Sequence, residues 1–147
     1  MIHYVIYTDI APPYQRWALP AVLSTAARAA LRHEGAPSPS ALTIRVTGDG
    51  ELRRLNRDFL GHNAVTDVLS FPANETDPET GRLQLGDIAI AYPRARVQAQ
   101  RAGHTVRAEL QLLVVHGVLH LLDHDHVEPA GEARMWAAQA NILAGLR

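Results

Sequence analysis

Leu110-Gln111-Leu112-Leu113-Val114-Val115-His116-Gly117-Val118-Leu119-His120-Leu121-Leu122-Asp123-His124-Asp125-His126 is the stretch that organises everything around it. Leu110, Leu112 to Val115, Val118, Leu119, Leu121 and Leu122 cover nearly the whole circumference of a helix over residues 105–122. A helix apolar all round is a central helix of a core, not a surface one. Within it, a step of four residues turns about 400°, so His116 and His120 leave the same face one turn apart. Two imidazoles placed so can hold one ion. A third ligand, His126, requires the helix to end and the chain to turn back, and residues 123–125 form a short polar corner for that. Three neutral nitrogens with a fourth position open make the catalytic zinc pattern. The competing explanation is a set of ordinary core histidines. Burying two unpaired imidazoles among leucines is costly, and a shared ion removes that cost.

Composition bounds the alternatives. The chain has 147 residues, 47% of them hydrophobic, and no compositional break, which predicts one domain spanning 1–147 with room for a full core. No apolar run approaches the 18 or more residues of a membrane helix, and no secretory leader pattern opens the chain, so the expected location is cytoplasmic, without membrane partners. Zero cysteines leave His and carboxylates as the candidate metal ligands. The net charge of -1 gives no global attraction to nucleic acid. All the basic residues are Arg. They cluster at Arg53, Arg54 and Arg57 and again at Arg94, Arg96, Arg101 and Arg107, where they suit either phosphate contacts or solvated helix faces.

Outward from the histidines, the pattern predicts strand, helix, strand, helix, two strands and three helices. Residues 2–8 and 42–47 alternate as strands. Residues 14–33 carry Trp17, Val22, Leu23, Ala26, Ala27, Ala30 and Leu31 at helical spacing, and residues 51–59 do the same with Leu52, Leu55 and Phe59. Residues 66–72 are apolar in a run, which suggests a strand in the middle of a sheet. Polar residues 74–82 read as an exposed loop. Residues 85–92 form a fourth strand in which Gly86 marks a bulge or a close backbone approach. Pro93 opens a helix to Arg101, and Pro129 opens the last. The expected fold is α+β, a four-stranded mixed sheet with about five helices packed on it and the metal site at the end of the buried central helix.

A ligand frame of this spacing also occurs in metzincin peptidases, but these need Glu directly after the first His as general base, and Gly at the corner. Here those positions hold Gly117 and Asp123. The whole run instead resembles the YbeY family, with signature H-G-x-L-H-L-x-G-(Y/H)-D-H, matched by His116, Gly117, Leu119, His120, Leu121, Asp125 and His126. Leu55-Asn56 with Thr66-Asp67-Val68-Leu69-Ser70-Phe71, then Gly86-Asp87-Ile88, then Met135 and Ile142-Leu143, are similar to the family's other signatures in the same order.

The resemblance implies a metal-dependent hydrolase, a single-strand-specific endoribonuclease of ribosomal RNA maturation and ribosome quality control. It implies one zinc ion on His116, His120 and His126, and as partners single-stranded RNA together with a ribosomal subunit or assembly factors. The chain departs from the family pattern at Leu60, where an Arg important for cleavage is usual, and at Asp123. With an aliphatic side chain there, Arg54 or Arg57 would have to supply RNA contacts. Otherwise the protein would be a zinc-stabilised ribosome-assembly or RNA-binding factor with weak or no catalysis. Asp123 and Asp125 are placed either to accept a hydrogen bond from a ligand imidazole or simply to end the helix. His124, at a variable aromatic position of the signature, is not expected to be a ligand, His62 reads as an exposed loop residue, and Asp67 and Asp87 read as structural carboxylates near strand starts. With 5% aromatic residues, extensive base stacking is not expected.

Overall fold

A computed structural model describes residues 2–122 and 129–146. Strand β1 (Tyr4–Ile10) crosses through helix α1 (Pro20–His33) to strand β2 (Ser40–Thr47), to which it is parallel. Helix α2 (Asp49–Leu60) follows, then the antiparallel pair β3 (Val68–Thr76) and β4 (Leu83–Ala91), then helices α3 (Tyr92–Ala102), α4 (Val106–Leu121) and α5 (Pro129–Gly145). The sheet order is β1-β2-β4-β3 with β4 parallel to β2, so the sheet is mixed and the fold is α+β as expected.

Alternation along the strands gives the sheet two different faces. Leu42, Ile44, Val46, Ile88 and Ile90 point into the large core, where α1, α4 and α5 supply Leu23, Leu31, Leu113, Leu119 and Ile142. Leu69, Ala89 and Ala91 point the other way and meet Leu52 of α2, with Leu55 and Phe71 at the margin. Helix α4 touches α1, α3, α5, β3 and β4, the central place its sequence announced. Its start is capped by Thr105, whose side chain accepts from the Ala108 backbone N–H at 3.1 Å.

Two glycines let the site's elements close up. A Cβ on Gly117 would stand 2.9 Å from Cγ2 of the fully buried Ile88, so α4 lies against β4 at a distance only glycine permits. Gly86 has φ of 142°, and a Cβ there would meet the Phe71 carbonyl oxygen at 2.2 Å. Next to it the pairing of β2 with β4 skips Leu85, so both the bulge and the close approach expected at this glycine are present.

Several expectations need correction. Residues 66–72 do not begin a central strand: β3 is at the sheet edge, paired to β4 alone. Its apolar run arises because both of its faces are covered, Val68 against the large core and Leu69 and Phe71 against α2. Pro72, which lacks a donor, fits an edge. The strand also runs on to Thr76 through an irregularity at residues 73–74, where Asn74 has φ of 55°, so only residues 77–82 form the connecting loop. The helix expected over 14–33 starts at Pro20. A 3-10 turn, Pro12–Tyr14, precedes it, and Leu19 is extended because the residue before proline is pushed out of the helical region. Trp17 is therefore exposed rather than on the buried face. Asp87 lies mid-strand in β4 with an exposed side chain, not at a strand start.

Candidate active site

His116 and His120 occupy the last two turns of α4, half-buried, with Nε2 of one 3.0 Å from Nε2 of the other. The helix's negative end favours a cation there. Two nitrogens bound to one tetrahedral zinc at about 2.0–2.1 Å would lie about 3.3 Å apart. The observed pair is thus within a few tenths of an ångström of a shared-ion spacing, and its donor set is the one zinc accepts. On the far side of the His116 ring, Nδ1 is 3.1 Å from Oε1 of Gln139, a buried residue of α5. An amide oxygen accepts, so Nδ1 carries the proton and the Nε2 lone pair is left to face His120.

The pair opens into a cleft of about 280 Å³ whose other walls are Leu60, at the end of α2, and Val68, Leu69, Ser70 and Pro72 of β3. The Ser70 hydroxyl donates to the Gly117 carbonyl at 3.0 Å, pinning this strand to the helix that carries the histidines. Asn56 donates from its side-chain amide to the Ala64 carbonyl and accepts through its backbone carbonyl from His62 N–H, which fixes the turn after α2. Asp67 caps the start of β3 by accepting from Val68 N–H at 2.8 Å, the structural role expected of it.

Of the residues singled out in the sequence, His116 and His120 are brought together. Asp123, His124, Asp125 and His126 lie outside the described residues. Among those that are described, no three His, Cys, Asp or Glu side chains converge as a metal-binding group, so the described candidates are the pair alone. Leu60 does line the cleft. The described lining residues include no Arg. Arg54 belongs to a larger cavity, about 530 Å³, on the α2 face of the sheet, and lies 3.8 Å from Glu51. Arg57 is exposed and pairs with Asp58 at 2.9 Å. His62 is an exposed loop residue, as expected.

In that larger cavity Arg45 holds Glu51 through two hydrogen bonds of 2.6 and 3.0 Å and reaches Asp9 at 3.0 Å. The bond from Arg45 holds the Glu51 carboxyl below its ordinary value, against an opposing push from burial. The same bond raises Arg45. Arg45 thus has two carboxylates about it, Glu51 and Asp9, and this cavity holds its charges in ion pairs on the face of the sheet away from the histidines.

The protein-family model described as Endoribonuclease YbeY matches residues 13–147. The chain belongs to this family. An endoribonuclease YbeY of Chloroflexus aggregans is 47% identical over 133 residues, covering 86% of each chain. One of Roseiflexus is 41% identical over 144 residues, 94% of this chain and 90% of its own. The solution structure of the Thermotoga maritima protein TM1509 superposes with a TM-score of 0.63 at 24% identity, over 95% of this chain and 87% of that one, and supports the fold. For a YbeY family member, Gly117 now has a steric reason: the Glu of a peptidase motif would have to enter the space filled by Ile88.

Two contributors escape a reading of the sequence, Gln139 and Ser70. The burial of Gln139, though not its partner, is signalled there. It falls at helical spacing from Met135 and Ile142, a lone polar residue on an inward stripe, and such residues are buried only with a partner. Ser70 gives no such signal.

Proposed function

We propose that this chain is a zinc-dependent endoribonuclease that cuts single-stranded RNA during ribosomal RNA maturation, in contact with a ribosomal subunit or its assembly factors. The observation that carries the reading is the His116–His120 pair, Nε2 to Nε2 at 3.0 Å on one face of α4, opening into a cleft, in a chain of the endoribonuclease YbeY family. The relatives' name as endoribonucleases favours this over an assembly factor without catalysis. No described helix is long and apolar enough to cross a membrane, in keeping with an RNA partner.

His116 and His120 would hold the ion through Nε2, with His126 as third ligand. When bound, a zinc ion supplies Lewis acidity toward a phosphoryl oxygen. Gln139 keeps the His116 proton on Nδ1 and so keeps its Nε2 available. Ser70 and Gly117 hold the cleft wall at a fixed distance from the histidines. Val68 and Pro72 add apolar surface to that wall beside the histidines. Leu60 adds bulk but no charge, so negative charge developing on the phosphate has no Arg among the described lining residues to meet it.

The test is cleavage of a single-stranded RNA by wild type, His116→Ala and His120→Ala, with metal analysis of each. Wild type is expected to retain zinc and cut. Each variant should lose at least about 100-fold in rate, the scale of losing a ligand-positioning interaction or more. Equal cleavage by all three would identify a contaminating nuclease and remove the assignment.

A further inference from the structure

Helix α5 turns Met135, Ala138, Gln139 and Ile142 inward, yet the residue next to Met135 is an exposed tryptophan. The Trp136 ring lies 6.4 Å from the His116 ring, tilted 42°, and 54% of the residue is solvent-accessible. That is the outer range of aromatic contact, in neither a stacked nor an edge-to-face arrangement, so pairing with His116 does not account for an indole left in water. Its orientation is nevertheless held: the indole N–H donates to Glu132 Oε1, one turn earlier, at 3.3 Å. Trp136 and Gln139 are three residues apart and so share a helix face. The face that orients the His116 imidazole therefore also displays a flat apolar ring beside it. Trp17, the other exposed indole, differs, because the Arg16 guanidinium sits 4.9 Å over its ring.

Resting on the endoribonuclease reading above, we propose that Trp136 is the stacking platform for the RNA base adjacent to the phosphate that is cut. Aromatic side chains recognise single strands in this way without sequence preference, since every base has a π-face. One such ring at the histidine pair, in a chain otherwise poor in aromatics, sets the register of the strand over the cleft rather than reading its sequence. The Glu132 carboxylate stays at the indole edge, leaving a face for the base.

The experiment uses the zinc-supplemented protein in a Trp17→Phe background, so that Trp136 is its only indole. A 2'-O-methyl oligoadenylate hexamer is titrated while tryptophan emission is followed, and steady-state cleavage of a single-stranded RNA is measured. Emission should be quenched on binding. Trp136→Ala should raise KM about tenfold to a hundredfold, with kcat within about twofold, and Trp136→Phe should keep most of the affinity. Hexamers abasic at one position at a time, compared as competitive inhibitors of the cleavage reaction so that the variant without an indole can be read too, should include one that weakens binding to the Trp136 protein by a similar factor and to Trp136→Ala no further. An unchanged KM in Trp136→Ala, or a loss in the Phe variant equal to that in the Ala variant, overturns the platform while leaving the nuclease intact. A wild type that neither binds nor cleaves RNA overturns both.

Discussion

Gly117 is the residue at which the fold and the site meet. It follows His116 on α4, and any side chain there must enter the space held by Cγ2, Cδ1 and Cγ1 of Ile88, which lie 2.9 to 3.2 Å from where its β-carbon would stand. Two effects compete in Gly117→Ala. Alanine gains about 0.8–1.0 kcal/mol of helix propensity over glycine, while overpacking a filled core costs about 1–3 kcal/mol. Because Ile88 is fully buried and branched at Cβ, it has little room to yield, and the second effect wins. Gly117→Ala is expected to lower stability by about 1 kcal/mol in urea unfolding, where the propensity scale alone says it should rise. Combining it with Ile88→Ala, which removes all three clashing atoms, should reveal a coupling of at least about 0.5 kcal/mol. Additive effects of the two substitutions would show that helix and strand are not in forced contact here.

At the scale of elements, α2 is tied to β2 by Arg45 and Glu51, on the face of the sheet away from the histidines. The Glu51 carboxyl is held below the ordinary 4.5, first by the hydrogen bond from Arg45, with the nearby Arg45 and Arg54 charges adding to it. A depressed carboxyl contributes stability that is complete above its unfolded value and disappears as the pH falls through the lower folded one. Glu51→Gln should therefore be less stable than wild type near neutral pH, by about 1 kcal/mol given the partial exposure of both partners. The gap between the two melting curves should narrow progressively on acidification below 4.5, as the folded carboxyl takes up its proton. A gap constant with pH would mean that the amide loses packing rather than charge.

Elements are also what the amino-acid sequence announces best. Central α4, the helices after Pro93 and Pro129, and the place of Gly86 follow from periodicity and from backbone chemistry that acts locally. What escapes is lateral. The run Val68 to Phe71 records that both faces of a strand are covered, and says nothing of how many strands flank it, so the pattern of an edge strand passes for that of a central one. Pro72 is the available corrective. In the same way His116 and His120 declare themselves by their spacing within one helix, whereas Gln139 reaches His116 from an element 23 residues away, a distance that only tertiary packing closes.

For the whole molecule, the histidine pair and Gln139 make a junction between α4, buried at the centre, and α5, which closes the large core with Met135 and Ile142. An ion bound at that junction in the folded chain alone must stabilise the entire fold by mass action. The amount is RT ln(1 + [L]/Kd), or about 2.7 kcal/mol with free zinc at one hundred times its dissociation constant. At about 3 °C per kcal/mol for a domain of this size, the melting temperature should rise roughly 8 °C on zinc addition. It should return to the starting value with a chelator. His120→Ala removes one of the two described donors and should melt at nearly the same temperature with and without zinc. Gln139→Leu keeps both imidazoles but releases the His116 tautomer, and the same titration should then need about 10- to 100-fold more zinc for an equal rise. A zinc-dependent rise undiminished in His120→Ala would place the ion elsewhere on the molecule, and the histidine pair would be left as a hydrogen-bonded feature of the core.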